Sequence, residues 1–348
     1  MVTCAKLYIR RYHTPQLPTG IVSLQDVLSG KADEAIPIPE QLPNVTPVTR
    51  QINGHQERFS DSAIHENLHS NITPEIMSFT DRPFPKKLSE HSIAQYGDKN
   101  VPFRHHSVIR EWIEALFAPY EKLLELNTTL ERAEKINDEW ILTLRKEFAG
   151  RNYWWQETFD AIVVASGHYN VPWFPDIPGL VAYHEKFPDR IKHSKHFRSS
   201  KDHVGKKVVV VGASVSSHEI IHEVLDVAKQ PVYASIRGDP IPAFGWEPFH
   251  HPHIEVKKQI QRLEPETGRI VFEDGSYLDD VDHVFFGTGY TFSVPFLPKV
   301  QERVKKANRR LPGVYQHTWN IEDPSLTFIG QVSLLFKQLV RATKANVQ

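Results

Sequence analysis

Residues 206–237 constrain the fold more than any other stretch. Lys206-Lys-Val-Val-Val-Val-Gly212 contains four consecutive valines, Val208 to Val211, and is apolar on both faces. A strand of that kind has to be covered on both sides, as in a parallel sheet between helical layers. A helix is predicted over residues 216–228, with Ile220, Ile221, Val224 and Leu225 on its core face. Residues 231–237 read as the next strand, which completes a βαβ unit.

A second device occurs twice. Phe159-Asp-Ala-Ile-Val-Val-Ala-Ser-Gly-His168 and Asp282-His-Val-Phe-Phe-Gly-Thr-Gly-Tyr290 each run from an acid through a buried strand into a hydroxyl–glycine turn. Gly167 and Gly289 both follow their aspartates, Asp160 and Asp282, by seven residues. A helix is predicted over residues 108–126 from the spacing of Val108, Ile109, Trp112, Ile113, Leu116 and Phe117. A strand pair is expected at 125–133 and 140–144 around a polar turn at 135–138, and a hairpin at 259–263 and 269–273. The first third reads as loop, punctuated by Pro15, Pro18, Pro37, Pro39, Pro43 and Pro47. Trp154 and Trp155 are expected to pack at a sheet edge.

Composition narrows the chemistry. The 348 residues include 41 Lys+Arg and 42 Asp+Glu, a net charge of −1, which argues against nucleic acid as a partner. At roughly 100–200 residues per domain, the length suits two domains or one inserted in another. A single cysteine, Cys4, excludes an internal disulfide and a cysteine-built metal site. No stretch reads as a secretory signal or a membrane span, so a soluble, cytoplasmic protein is expected. The 19 histidines are densest at His193–His196 and His250–His253, where polar loop histidines are favoured over a metal site. The basic run from Arg303 to Arg310 reads as a solvated face, and no Gly-x-Ser-x-Gly elbow supports a hydrolase.

The chemistry-bearing segment is Gly212-Ala-Ser-Val-Ser-Ser-His-Glu219, between the valine strand and its helix. Small residues there let backbone approach a pyrophosphate, and a helix N-terminus offers free N–H groups to it. Gly212 keeps the tight-turn glycine, while Ser214 and Ser217 stand at the second and third glycine positions. These eight residues alone also fit an ordinary βα turn capped by Ser216. The following strand ends in Ser235 and Arg237, where an NAD site would carry an acid. An arginine there pairs with a ribose 2′-phosphate and points to NADP(H); the alternative is a solvated strand-end arginine.

These residues, with the segments around them, resemble the flavin-containing monooxygenases, the fungal members above all. The likeness runs through Asn67-Leu-His-Ser-Asn71-Ile-Thr-Pro-Glu-Ile-Met77, Phe79 and Pro83-Phe-Pro85, then Ala165-Ser-Gly-His-Tyr169. It continues in Phe187-x-Asp189-x-x-x-His193-Ser-x-x-Phe197, with Asp189 where glycine is usual, in residues 212–219 and in Gly287-Thr-Gly-Tyr290. The resemblance implies an α/β fold of two Rossmann-like dinucleotide-binding domains. An NADP domain at 201–283 would be inserted in an incomplete FAD domain formed by 1–200 and 284–348. It implies FAD and NADP(H) as cofactors, and a flavin C4a-hydroperoxide that oxygenates nitrogen or sulfur of a small molecule with O2. Asn71 would be the catalytic residue beside the flavin, flanked by Ser70 and Ile72. Gly212, Ser214, Ser216, Ser217, His218, Glu219, Ser235 and Arg237 would lie against NADP. Gly167 and Gly289 would let the chain pass close to the cofactors.

One departure stands out. The FAD fingerprint Gly-x-Gly-x-x-Gly is absent, and residues 1–63 hold only the isolated glycines Gly20, Gly30 and Gly54. A chain shortened at both ends is expected, and a remnant that binds NADP(H) but not FAD is the alternative. A Baeyer–Villiger enzyme is a further alternative, although its fingerprint usually ends in Trp where this sequence has Phe197. Oligomeric state and substrate identity are left open.

Overall fold

In the computed structural model, Lys207–Val211 is the middle strand of a five-stranded parallel sheet. The order across it is Ile254–Lys257, Lys229–Ser235, Lys207–Val211, His283–Phe286 and Ile191–His193. The residues described are 7–9, 24–28, 33, 35–48, 62–97, 101–240, 245–307 and 310–330. Cys4, Pro15, Pro18, Gly20, Gly30 and Gly54 lie outside them, as do residues 331–348.

The valine strand is covered on both faces, as its sequence requires. Val208 and Val210 pack with Ile220, Ile221 and Val224 of helix Val215–Val224. Val209 and Val211 pack toward Leu180 and Tyr183 of helix Leu180–Lys186 and the hairpin Ile260–Glu264/Arg269–Phe272. Burial stabilises each valine by roughly 1.5–3 kcal/mol relative to exposure. The helix is shorter than residues 216–228 and begins one residue earlier, with Ser214 rather than Ser216 as N-cap. The sheet takes its outermost strand, Ile191–His193, from the N-terminal side of residue 201.

A second, antiparallel sheet runs in the order Asn44–Pro47, Arg151–Phe159, Glu139–Phe148 and Thr128–Ile136. Its hairpins turn at Asn137–Asp138 (φ 51° and 67°) and at Ala149–Gly150 (φ 50° and 72°), the left-handed pairs that two-residue hairpins need. The expected pair at 125–133 and 140–144 is thus shifted and lengthened around a tighter turn. Trp154 lies on an interior strand and is buried, its indole N–H donating to Thr46 Oγ1 at 3.0 Å, which corrects the edge placement. Between the strands, Arg145 Nε donates to Glu131 Oε1 at 2.8 Å and Nη1 to Asn152 Oδ1 at 3.0 Å, all three residues being buried.

The helix expected over 108–126 stops at Phe117, because Pro119 has no N–H to continue it. A 3-10 turn, Ala118–Leu123, and a short strand, Leu124–Leu126, complete that span. The strand expected within 159–168 is only Ile162–Val164, since Phe159 belongs to the antiparallel sheet. It pairs in parallel with Leu326–Phe328, at the edge of a small sheet that leaves Val163 59% exposed. Val171–Pro172 and Tyr290–Thr291 pair antiparallel where the chain passes between the two sheet systems. None of the described helices is long and apolar enough to cross a membrane.

Removing one member of a buried ion pair strands the other. Arg145→Ala should therefore destabilise the chain by about 3–5 kcal/mol, read as a drop in the urea midpoint. A midpoint within error of the parent would refute this.

Candidate functional site

Chain order moves outward from Lys207–Val211 on one side and returns as His283–Phe286 on the other. The reversal is a topological switch point, and open α/β sheets receive ligands beyond the carboxyl ends of the strands there. Gly212 and Gly287 stand at those two ends. Gly212 N donates to Ser235 O at 3.0 Å and Gly287 N to Val211 O at 2.8 Å, so the ladder continues one step past the strands.

Here the helix packs very close. Gly212 has φ +118°, and a Cβ on it would lie 2.7 Å from Ser217 Oγ and 2.8 Å from Gly287 O. A Cβ on Gly287 would collide with Ser217 Oγ and reach 3.0 Å from Ser217 N. Ser217 is buried, and its hydroxyl lies 3.3 Å from the carbonyls of both Val211 and Gly287. Its side chain therefore fills the helix–strand contact instead of facing the opening. Ser214 is extended at the N-cap and its side chain makes no capping bond. Among the described residues, the N–H groups of residues 213–217 find no acceptor, leaving an open helix N-terminus beside Ser214 and Ser216.

Beyond the turn, Ser235 is buried and donates its hydroxyl to Lys258 O at 3.0 Å. Arg237 is exposed, and no described carboxylate pairs with it. His218 and Glu219 sit further along the helix, both half-buried. Burial, and then the neighbouring His222, holds His218 below the ordinary range. Burial pushes the Glu219 carboxyl up to about 7, and the Glu223 carboxylate adds to the shift.

The segment carrying Ser70, Asn71 and Ile72 is fastened from several sides. Ser70 N donates to Arg104 O at 2.8 Å, Arg104 N to Ser70 Oγ at 3.0 Å, and that hydroxyl to Ile72 O at 2.9 Å. His69 bonds through its two ring nitrogens to Asn67 O and Ser92 Oγ. Asn71 is exposed, with no described partner for its amide, and Ile72 is half-buried. One contact reaches the nucleotide helix: Asn67 Nδ2 donates to Glu223 Oε2 at 2.7 Å.

At the crossing, Gly289 (φ +82°) accepts from Trp173 N and from His193 Nε2, both at 2.9 Å. Lys195 N donates to His193 Nδ1 at 3.1 Å, so the ring proton is on Nε2. His193 is buried and held down to about 3 by burial, unlike the polar loop histidine expected at that position. Gly167 (φ +69°) is exposed, and nothing lies within 4 Å of where its Cβ would be. Of the residues singled out from sequence, the switch point gathers Gly212, Ser214, Ser216, Ser217, Ser235 and Arg237. Ser70, Asn71 and Ile72 belong to the neighbouring segment, and Gly167 and Gly289 to the crossing. Gly287, Asn67 and Glu223 were not singled out; only Gly287 carried a local signal, in Gly287-Thr-Gly289.

His69, His91 and His105 also approach one another, with ring centroids 4.6–6.2 Å apart. Among the described residues, however, no group of three or more His, Cys, Asp or Glu is arranged to hold a metal.

A parallel sheet with a glycine turn and an open helix N-terminus at its switch point defines a Rossmann-like unit. The chain belongs to the flavin-binding monooxygenase-like family, whose pattern it matches over residues 51–243 and 250–344. It is 28% identical over 323 residues to the flavin-containing monooxygenase iboF of Amanita muscaria, covering 81% of this chain and 57% of that one. It is 27% identical over 291 residues to a thiol-specific monooxygenase of Saccharomyces cerevisiae, covering 79% and 62%. Among solved structures, S-allyl-L-cysteine S-oxygenase from Allium sativum shares the fold, with a TM-score of 0.62, 24% identity and coverage of 79% and 60%. The chain thus spans a little over half the length of the curated relatives it matches.

Two outcomes are expected. Gly287→Ala forces a side chain into Ser217 and should cost about 1–3 kcal/mol, measured by urea unfolding, and Ser217→Ala in the same chain should recover part of it. Burial also keeps His65, His106, His203 and His283 at about 4 and His193 at about 3, below the ordinary 6.5. The unfolded chain then binds more protons between about 4 and 6.5, so stability is lost as pH falls through that window. Glu219 acts oppositely, since its folded form holds a proton between 4.5 and about 7. Five groups outweigh one, and the urea midpoint should fall from pH 6.5 to 4.5; a rise would contradict the assignment.

Proposed function

We propose that this chain acts in an NADPH- and FAD-dependent monooxygenation of sulfur or nitrogen in a small molecule, with O2 as co-substrate. A nucleotide unit over residues 201–283 is set between flavin-side segments 1–200 and 284–348. The observation that carries this reading is the Gly212 turn, whose N–H groups at residues 213–217 find no acceptor among the described residues, beside an exposed Arg237 that no described carboxylate pairs with. The N–H groups of residues 213–217 would bind the pyrophosphate, and Arg237 the ribose 2′-phosphate. The relative named as thiol-specific supports sulfur as the oxidised atom.

For the flavin the fit is partial. Ser70, Asn71 and Ile72 offer an exposed amide and a fixed backbone to a ring, and Asn67 fastens them to the nucleotide helix. The strands ending at Val164 and Phe328 run on to Gly167 and Gly330, and neither opens directly into a described helix. The described residues therefore fit one dinucleotide and hold no cradle for the FAD pyrophosphate. That observation favours a second reading, in which this chain binds NADP(H) and not FAD.

The visible spectrum of the purified chain separates the two. A flavin band bleached by NADPH supports the oxygenase, and a colourless chain that retains NADPH supports the second reading. In either case Arg237→Ala should weaken NADPH about tenfold or more while leaving NADH unchanged, since a charge-assisted bond is worth about 1.5–3 kcal/mol. An unchanged NADPH-to-NADH ratio would remove the nucleotide assignment.

A further inference from the structure

We propose that Glu223 is a positioning residue for the Asn71 segment, which it holds at a fixed place along the nucleotide helix through Asn67. This rests on the reading of residues 212–237 as the nucleotide site and of Asn71 as the residue beside the flavin. Glu223 lies near the end of helix Val215–Val224, about 12 Å from Val215 at 1.5 Å per residue. It touches neither the Gly212 turn nor Asn71. Its carboxylate is half-buried and accepts from Asn67 Nδ2 at 2.7 Å. A bond of that kind is charge-assisted, and its shielding from solvent strengthens it.

Asn67 is gripped from its other end as well. Its carbonyl lies 2.6 Å from His69 Nδ1, and a carbonyl can only accept, so Nδ1 carries the ring proton. His69 Nε2 then accepts from Ser92 Oγ at 2.9 Å. Burial holds His69 below its ordinary range, which keeps that nitrogen an acceptor. Ser92 is buried; having given its proton to His69, it accepts from Ser89 Oγ at 2.9 Å, and Ser89 Oγ accepts from Ser92 N at 3.0 Å. The bonds therefore run in one direction, from the cap of helix Glu90–Tyr96 through Ser92, His69 and Asn67 to Glu223. The Tyr96 ring stands edge-on to His69, with centroids 5.4 Å apart. Between Asn67 and Asn71, Ser70 exchanges two bonds with Arg104. The segment thus has two anchors, one of them on the helix whose N-terminus would bind the pyrophosphate, and Glu223 sets the spacing between that end and Asn71.

The test is hydrogen exchange in the full chain, read at the amides of Leu68 and Ser70, which donate to His65 O and Arg104 O. Calorimetric titration with 2′,5′-ADP accompanies it. Asn67→Asp sets two carboxylates against each other and should speed exchange at both amides about tenfold. Adding Glu223→Gln swaps donor and acceptor at constant size and should return exchange to within about threefold of the parent, a rescue that a merely structural role would not give. Glu223→Leu should loosen the same two amides about fivefold or more. In all three variants 2′,5′-ADP affinity should stay within about twofold and exchange in Lys207–Val211 should not change. If 2′,5′-ADP binds but neither Asn67→Asp nor Glu223→Leu speeds exchange at Leu68 and Ser70, this inference is overturned while the nucleotide reading stands. A double variant no better protected than Asn67→Asp also overturns it, as does equal loosening of Lys207–Val211. A parent chain that does not bind 2′,5′-ADP overturns the nucleotide reading and this inference together.

Discussion

How closely one helix can approach two strand ends governs the candidate site. At the switch point Gly212, Ser217 and Gly287 meet with no room for another carbon, and Ser217 fills the space with a hydroxyl that two carbonyls accept. A larger residue at any of the three would push the helix outward. Its first-turn N–H groups would then no longer converge beyond Gly212. The helix is also only 10 residues long, so its position depends on tertiary packing more than on intrinsic propensity. The apolar layer under it, Ile220, Ile221 and Val224 against Val208 and Val210, is thus part of the site's construction.

A second set of contacts holds the flanking segments to that core. Asn67 bonds Glu223, Glu66 N donates to Arg198 O, and Glu66 pairs with Lys201 at 2.7 Å. The exposed Glu66–Lys201 pair contributes little on its own, whereas the half-buried Asn67–Glu223 bond is shielded from solvent. On the far side Gly289 is held from two directions, by Trp173 and His193. The exposed Asn71 amide thus belongs to a backbone fixed at both ends.

Local pattern made the nucleotide unit legible. Four valines, a glycine turn and an amphipathic helix are adjacent in sequence, and each agrees with the next. The strand Arg151–Phe159 was not legible because one of its two buried positions breaks the apolar code. Asn152 is buried yet polar, accepting from Arg145 and donating to Pro47 O, and that need is visible only once the neighbouring strands are in place. Ser217 was legible as a small residue but not in its role, since its partners are the carbonyls of two different strands. Asn67 and Glu223 are 156 positions apart, and no periodicity links them. The helix end at Phe117 could have been read from Pro119, which the apolar spacing beyond it obscured.

His193 illustrates how a fold can take a residue out of chemistry. One nitrogen gives its proton to Gly289 and the other accepts from Lys195, and burial keeps the ring uncharged down to about pH 3. No lone pair is free to take a proton, and no proton is free to be given. A histidine at the crossing between two sheet systems invites a role as proton shuttle, but this one is a rivet.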